Sequence, residues 1–254
     1  MKALLACLAL FVMAAGSIAA AQEKVTLIAE NDWYPYSAAR DGAPEGMAVD
    51  LVRAAYQAAG VELELISQPY ARCLEEVEAG RQLGCFDTIR EPATEARFLF
   101  HDQPLFRSAI VIIAPADSTL KDLTVADLKG QRVAITNGYT YGDAFRSDAS
   151  IRKDVVKNDL AILRVVANKR VAYGIIYDKV MAHLLAEHGG ELAGKVKVVG
   201  LLIEPDLYVS FSKKRADAKA AIEALDKGLS LIRANGIYRE IEERWAHRFS
   251  VAAP

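Results

Sequence analysis

Residues 47–66 read MAVDLVRAAYQAAGVELELI, and the change of period inside this stretch decides the fold. From 47 to 59 the apolar residues recur at helical spacing, and Gly60 stops the run. From 61 to 66 apolar and acidic residues alternate with period two, the pattern of a half-buried strand. Upstream, 24–28 (KVTLI) reads as a strand and 31–36 (NDWYPY) as an irregular aromatic turn broken by Pro35. Downstream, 70–79 is a second helix ending at Gly80. Strand, helix, strand, helix is the order of βαβ units built on a largely parallel sheet.

The pattern then restarts. Residues 109–114 (AIVIIA) form a continuous apolar run ended by Pro115, and 132–135 (RVAI) leads into the Asn137-Gly138 turn. A helix over 160–167, a strand over 171–177, a helix over 179–187 and a strand over 195–199 follow, with Gly189-Gly190 as the break. Residues 207–211 (LYVSF) read as a further strand. Amphipathic helices over 216–234 and 237–245 close the chain, separated by Asn235-Gly236. This is an α/β protein of two lobes, with the apolar runs near 109–114 and 207–211 as two crossings between them. The expected organisation is a leader over 1–21, a first lobe begun by 22–113, a second lobe over 114–206, and a return to the first lobe over 207–254.

The 254 residues are 52% apolar and 25% charged with a formal net charge of −2, which is ordinary globular composition. It excludes a disordered chain, a collagen-like repeat and a polytopic membrane protein, and the near-neutral balance lacks the basic footprint of nucleic-acid binding. Lys2 is followed by an apolar centre and then by Ala19-Ala20-Ala21 before Gln22, the pattern of a cleavable secretory signal. An N-terminal membrane anchor is the alternative. Cleavage leaves Cys73 and Cys85, twelve apart, which in an oxidising compartment can close a loop worth roughly 3 kcal/mol. His101, His183, His188 and His247 are scattered, so no metal site is expected, and no cofactor either. The nucleophile-elbow, zinc-protease and dinucleotide signatures are all absent. Residues 189–196 (GGELAGKV) approach a phosphate loop but lack the following hydroxyl and precede a strand.

What remains are polar and aromatic residues at predicted strand tips, where sheet ends would face a cleft. Trp33, Tyr34 and Tyr36 follow the first strand, and Tyr70 and Arg72 begin the second helix. Asp87, Thr88, Arg90 and Arg97 follow Cys85-Phe86; Thr140 follows the Asn137-Gly138 turn; Asp178 ends the strand GIIY. An Arg fork matches a carboxylate bidentately, and an Asp across the cleft pairs an ammonium. Such a set is a receptor for a small zwitterion: carboxylate to Arg97 and the Thr140 loop, amine to Asp178, side chain against aromatic rings. Each has a plainer reading: core packing for Trp33, surface pairing with Glu95 or Asp102 for Arg97, helix capping for Asp178.

Taken in order, these segments resemble the polar-amino-acid branch of the periplasmic solute-binding proteins of ATP-driven importers, the family 3 extracellular solute-binding proteins. The carriers are Trp33-Tyr34-Pro35-Tyr36, Gly46-Met47-Ala48-Val49-Asp50-Leu51, Thr94-Glu95-Ala96-Arg97 and His101-Asp102-Gln103-Pro104-Leu105. They continue with Leu128-Lys129-Gly130-Gln131-Arg132-Val133-Ala134 before Gly138-Tyr139-Thr140, then Asp178, Asn235-Gly236-Ile237-Tyr238 and Trp245. The resemblance implies a two-lobed clamshell with two hinge crossings, each lobe a mostly parallel sheet flanked by helices. It implies a monomeric periplasmic protein that binds a small molecule, an amino acid or related carboxylate, and hands it to an inner-membrane ABC permease, with no nucleic acid as partner. The residues matching the family's site are Arg97 and Thr140 for the α-carboxylate, Asp178 for the α-ammonium and Trp33 over the side chain.

The chain also departs from the family. Leu83 stands where an Asp is usual, and Arg90 where a small hydroxyl residue is usual. With Arg72 nearby, that extra cation suggests an additional anionic group on the ligand. Two other functions stay open. One is an enzyme of the same fold similar to cyclohexadienyl dehydratases, with Glu30, Asp87 or Asp178 as general acid. The other is a sensor whose closed form docks onto a membrane receptor.

Overall fold

The structure is a computed structural model that describes residues 24–251, with side chains to residue 248. The signal sequence expected over 1–21 lies outside the described residues. The chain opens with β1 (Lys24–Glu30), then β2 (Asp32–Trp33), β3 (Ser37–Arg40), β4 (Ala43–Glu45), α1 (Met47–Ala59), β5 (Glu62–Gln68) and α2 (Tyr70–Ala79). It continues with β6 (Gly84–Ile89), α3 (Pro92–Glu95), β7 (Phe98–Phe100), β8 (Phe106–Arg107) and β9 (Ile110–Pro115). The next elements are β10 (Arg132–Thr136), α4 (Asp143–Ser147), β11 (Arg152–Val156), α5 (Asp159–Ala167), β12 (Tyr173–Tyr177), α6 (Asp178–Glu187) and α7 (Gly189–Leu192). The chain ends with β13 (Val196–Ile203), β14 (Asp206–Ser212), α8 (Ala218–Ala234) and α9 (Ile237–Val251).

Two sheets result. The first has the order β5-β1-β6-β14-β7, with β8 on the edge of β14; the second has β11-β10-β12-β9-β13. In each, three parallel strands (β5-β1-β6 and β11-β10-β12) are extended by antiparallel ones. The antiparallel strands are those that flank the crossings. The runs expected as crossings are themselves sheet strands. The chain passes from β8 to β9 through Ser108-Ala109 and back from β13 to β14 through Glu204-Pro205. These two passages touch, since Ser108 N donates to Pro205 O at 3.2 Å. Residues 110–113, placed with the first lobe by the sequence, pair with β12 and β13 in the second sheet.

Period-two alternation sorts each strand between two apolar faces. In β1, Leu27 and Ala29 join the large core beneath α1 and α8, while Ile28 packs with Tyr70, Cys73 and Val77 under α2. In β9, Ile110, Ile112 and Ala114 join that large core, and Val111 and Ile113 face Ile162, Leu163 and Val166 of α5. A strand covered on both faces has no polar side, which is why AIVIIA shows no alternation. Each fully buried Leu, Ile or Val among them stabilises by roughly 1.5–3 kcal/mol.

Helix α1 ends where the sequence predicted, because Gly60 adopts φ 78° and its N–H closes onto Gln57 O. Gly228 lets α8 cross α1 closely: a Cβ there would stand 2.0 Å from Ala55 O. Several elements differ from expectation, and the short strands β3, β4, β7 and β8 and the short helices α3 and α4 were not anticipated. The segment 31–36 is not simply irregular but part of a three-stranded sheet, β2-β3-β4, folded about a cis Tyr34–Pro35 bond. The edge strand β11 (RKDVV) went unread because it is short, charged and largely unburied, the composition by which edge strands avoid further pairing.

Candidate functional site

The ends of β1, β6, β10 and β12 point toward the gap between the sheets, the place where open α/β folds take ligands. A small hollow of about 10 Å³, room for no more than one water, lies there. From the first sheet's side it is lined by Glu30 at the end of β1, Trp33 of β2, Tyr70 at the start of α2 and Asp87 of β6. From the second come Tyr139 and Thr140, in the loop after β10, and Tyr177 at the end of β12. Trp33 is held by Tyr36, with ring centroids 4.5 Å apart, and edge-on by Tyr177 at 4.7 Å. Tyr70 meets Tyr139 edge-on at 5.4 Å.

Two carboxyl groups face this small volume. Tyr139 donates its hydroxyl to Glu30 Oε1. Burial still drives the Glu30 carboxyl well above the usual carboxylate range, and the nearby acids Asp159, Asp87 and Asp32 add to that rise. Burial alone raises Asp87 in the same direction, and neither of its carboxylate oxygens has a hydrogen-bond partner. The Trp33 indole N–H is likewise buried without a partner. Among the described residues lining the cavity none carries a positive charge. Two acids buried in one hollow resist ionising together, which favours the proton-holding form of both. Asp159, at the start of α5, donates nothing and accepts from Thr136 Oγ1 at 2.6 Å; burial pushes its carboxyl up to about 7.

The lobes are closed on this cavity. Asn158 Nδ2 donates to Asp32 Oδ2 at 3.0 Å, and Arg40 Nη2 approaches His183 Nε2 at 3.1 Å. Gly138, at φ 80°, lies so close to α2 that a Cβ would sit 2.7 Å from the Ala71 Cβ. The hollow is continuous with a larger cleft of about 510 Å³ between the lobes, which shares Glu30, Tyr70 and Tyr139 with it and adds Asp32, Asn137, Lys157 and Asn158.

Of the residues singled out from sequence, Trp33, Tyr70 and Thr140 line the cavity. Thr88 is fully buried behind it, accepting from the Tyr70 hydroxyl at 3.0 Å and donating to Ser210 Oγ at 3.0 Å. The three arginines lie elsewhere. Arg72 is exposed beside Glu76, and Arg90 Nε donates to Glu95 Oε1 at 2.7 Å. Arg97 Nη2 donates to Glu78 Oε2 at 2.6 Å, with its guanidinium over the Phe98 ring. Asp178 sits at the first turn of α6, its backbone N–H bonded to Ala109 O beside the first crossing, and its Oδ1 accepts from Lys179 N. Neither Arg97 nor Asp178 is among the residues lining the closed cavity or the clefts beside it. The opposed guanidinium and carboxylate expected across a shared hollow are therefore not brought together in this structure. Cys73 and Cys85 are disulfide-bonded, with Cα atoms 5.9 Å apart, tying α2 to β6.

The sequence puts Asp87 and Tyr139 among the residues at the cleft without a binding role, Glu30 only as an acid for an enzymatic alternative, and does not single out Tyr177. The signal for Glu30 was available: an acid at the last position of a strand, directly before an aromatic turn at the sheet's edge. Asp87 follows a cis peptide bond after Phe86 in a strand buried throughout, a context that local sequence does not display.

The family described as bacterial extracellular solute-binding proteins, family 3, matches residues 25–248. The ABC transporter arginine-binding protein 1 of Escherichia coli (strain K12) is 27% identical over 161 residues, covering 56% of this chain and 57% of that protein. The chain thus spans little more than half the length of that relative. Solved structures of similar fold include an ancestral arginine-binding protein bound to arginine, at TM-score 0.72 and 20% identity over 87% of this chain and 97% of that one. The arginine-, lysine-, histidine-binding protein of Geobacillus stearothermophilus has TM-score 0.72 and 20% identity over 88% and 95% of the two chains. A histidine kinase sensor domain with similarity to periplasmic binding proteins has TM-score 0.77 and 19% identity over 88% and 96%.

Proposed function

The chain belongs to the bacterial extracellular solute-binding proteins of family 3, and from that membership we propose that it captures one small polar solute between its two lobes in the periplasm and delivers it to a membrane permease. The observation that carries the reading is the cavity shared by Glu30, Trp33 and Asp87 on one side and Tyr139, Thr140 and Tyr177 on the other. A site divided between two lobes couples occupancy to closure, because a solute touching both favours the closed form by its differential affinity. The closed form is then the signal a permease reads. Export by a cleaved leader over 1–21, a first lobe formed by the segments on either side of residues 114–206, and a monomeric state belong to the same proposal. Native mass spectrometry of freshly purified protein tests it: a retained solute is expected. An empty protein whose melting temperature no small solute raises would end it.

A second reading is favoured by one observation, the raised carboxyls of Glu30 and Asp87 inside an aromatic pocket. A carboxyl raised in this way is shifted toward the proton-holding form that a general acid needs, as a dehydratase of this fold would require. Incubation with prephenate separates the two readings. Phenylpyruvate formation lost in Glu30→Gln or Asp87→Asn would establish the enzyme; no formation leaves the binding role alone.

A further inference from the structure

Resting on the solute-binding reading, we infer that the solute is a small primary amine or guanidine that enters as a cation and carries no carboxylate. An α-amino acid brings a carboxylate that must be met by a cation or by several converging donors. Among the described residues lining the cavity there is no Arg, Lys or His. Arg97 is occupied by Glu78, and Arg90 by Glu95. A solute carboxylate would find no cation among the lining residues to offset its desolvation.

What the cavity holds points the opposite way. Asp87 is 7% exposed, with both oxygens free of partners, and Glu30 is 6% exposed with only the Tyr139 hydroxyl on Oε1. Buried acceptors without donors cost free energy until something supplies N–H groups. The four rings of Trp33, Tyr70, Tyr139 and Tyr177 complete the wall and favour a cation over their faces. A quaternary ammonium would satisfy the rings but bring no donor for Asp87. A primary ammonium or guanidinium satisfies both. The unpartnered Trp33 N–H takes a neutral acceptor on the solute or a water.

The charged and titratable groups around Glu30 are Tyr139, Asp159, Asp87 and Asp32, and Lys157 lines the open cleft beyond. Because burial raises the Glu30 and Asp87 carboxyls, an entering cation that favours their ionised form is expected to release a proton to solvent. Calorimetry with matched pairs tests this. Agmatine against arginine, and putrescine against ornithine, differ only in the carboxylate. Each amine is expected to bind at least tenfold more tightly than its amino acid, with affinity rising from pH 5 to pH 7.5. Titrations in buffers of different ionisation enthalpy should show close to one proton released. Asp87→Asn and, as a second variant, Glu30→Gln should each cut amine affinity tenfold or more while the folded baseline and melting transition persist.

Amino acids binding as tightly as the amines would overturn the inference, as would tetramethylammonium binding as tightly as putrescine. A neutral or acidic solute found by native mass spectrometry would also overturn it while leaving the solute-binding reading intact. Absence of any retained or stabilising solute would remove that reading itself.

Discussion

Tyr139, in the loop after β10 of the second lobe, donates its hydroxyl to Glu30 at the end of β1 in the first, so one hydrogen bond spans the gap where a solute would lie. The bond joins a donor to an acid that burial would otherwise leave bare. Hydrogen bonds to charged or buried carboxyl groups are worth roughly 1.5–3 kcal/mol. Tyr139→Phe keeps the ring against Tyr70 and removes only the hydroxyl. The variant is expected to show a larger radius of gyration without solute by small-angle scattering and roughly tenfold weaker binding. An unchanged radius together with unchanged affinity would mean that this bond does not hold the lobes.

Closure also depends on the absence of a side chain at 138. Gly138 has φ 80°, and a Cβ there would meet the Ala71 Cβ at 2.7 Å across the lobe boundary. Gly130 offers an internal control, with φ 75° and nothing within 4 Å of its would-be Cβ. Both Gly→Ala changes place Ala in the left-handed region, costing about 1–2 kcal/mol. Only Gly138→Ala also obstructs lobe contact. The two variants should therefore lose similar thermal stability, while Gly138→Ala alone loses solute affinity, by tenfold or more. Equal affinities in the two would show that the approach to Ala71 is not required for binding.

Asp159 sets a pH dependence of stability. Its folded carboxyl keeps its proton up to about pH 7, whereas the unfolded chain releases it near 3.9. Between those values the folded state binds more protons than the unfolded one, so this group's contribution falls as pH rises through the window. Asp159→Asn preserves an acceptor for Thr136 and removes the titration. Relative to the wild type, the variant should gain on the order of 3 kcal/mol between pH 4 and pH 7.5, read from urea midpoints. Parallel curves would place the Asp159 carboxyl at an ordinary value. His101 contributes the opposite slope, since burial pulls its ring down to about 3 and keeps it neutral as pH falls below the usual histidine value. The comparison must therefore be between variant and wild type at each pH.

The scaffold was legible because its strongest signals are local. Gly60 and Gly80 end α1 and α2 where the helical pattern stops, and both take left-handed conformations that only local sequence dictates. The aromatic turn at 31–36 carries Trp33 into the hollow, though its two-residue strand β2 is too short to show a period. The site was legible only where chemistry sits at a strand tip, as for Trp33, Tyr70 and Thr140. Charge partners were not. Glu78 reaches Arg97 because the last turn of α2 and the segment leading into β7 come together in space, and nothing in the eighteen intervening positions announces it.

That pairing yields its own test. Arg97 and Glu78 form an ion pair with side chains 40% and 45% exposed, a setting in which such pairs are worth about 0–1 kcal/mol. Arg97→Ala should lower stability by no more than about 1 kcal/mol, including the lost contact with Phe98, and leave solute affinity within threefold. Asp178→Asn should likewise leave affinity within threefold. Loss of binding in either variant would restore the carboxylate and ammonium clamps expected from the family resemblance and set aside the amine reading.

The Cys73–Cys85 bond separates stability from binding. It closes a loop of twelve positions and ties α2, which presents Tyr70, to β6, which presents Asp87. Removing such a cross-link widens the unfolded ensemble and costs roughly 3 kcal/mol. For a chain of this size that corresponds to about 6–12 °C in melting temperature. The Tyr70 hydroxyl bond to Thr88 and the Thr88 bond to Ser210 remain, and they hold the same two cavity residues in register without the sulfurs. The double variant Cys73→Ala/Cys85→Ala should therefore melt lower by that amount and still bind solute within threefold of the wild type. If affinity collapsed while the melting temperature held, the cross-link would be positioning the site, and the hydroxyl chain through Thr88 would not be enough to keep Tyr70 and Asp87 in place.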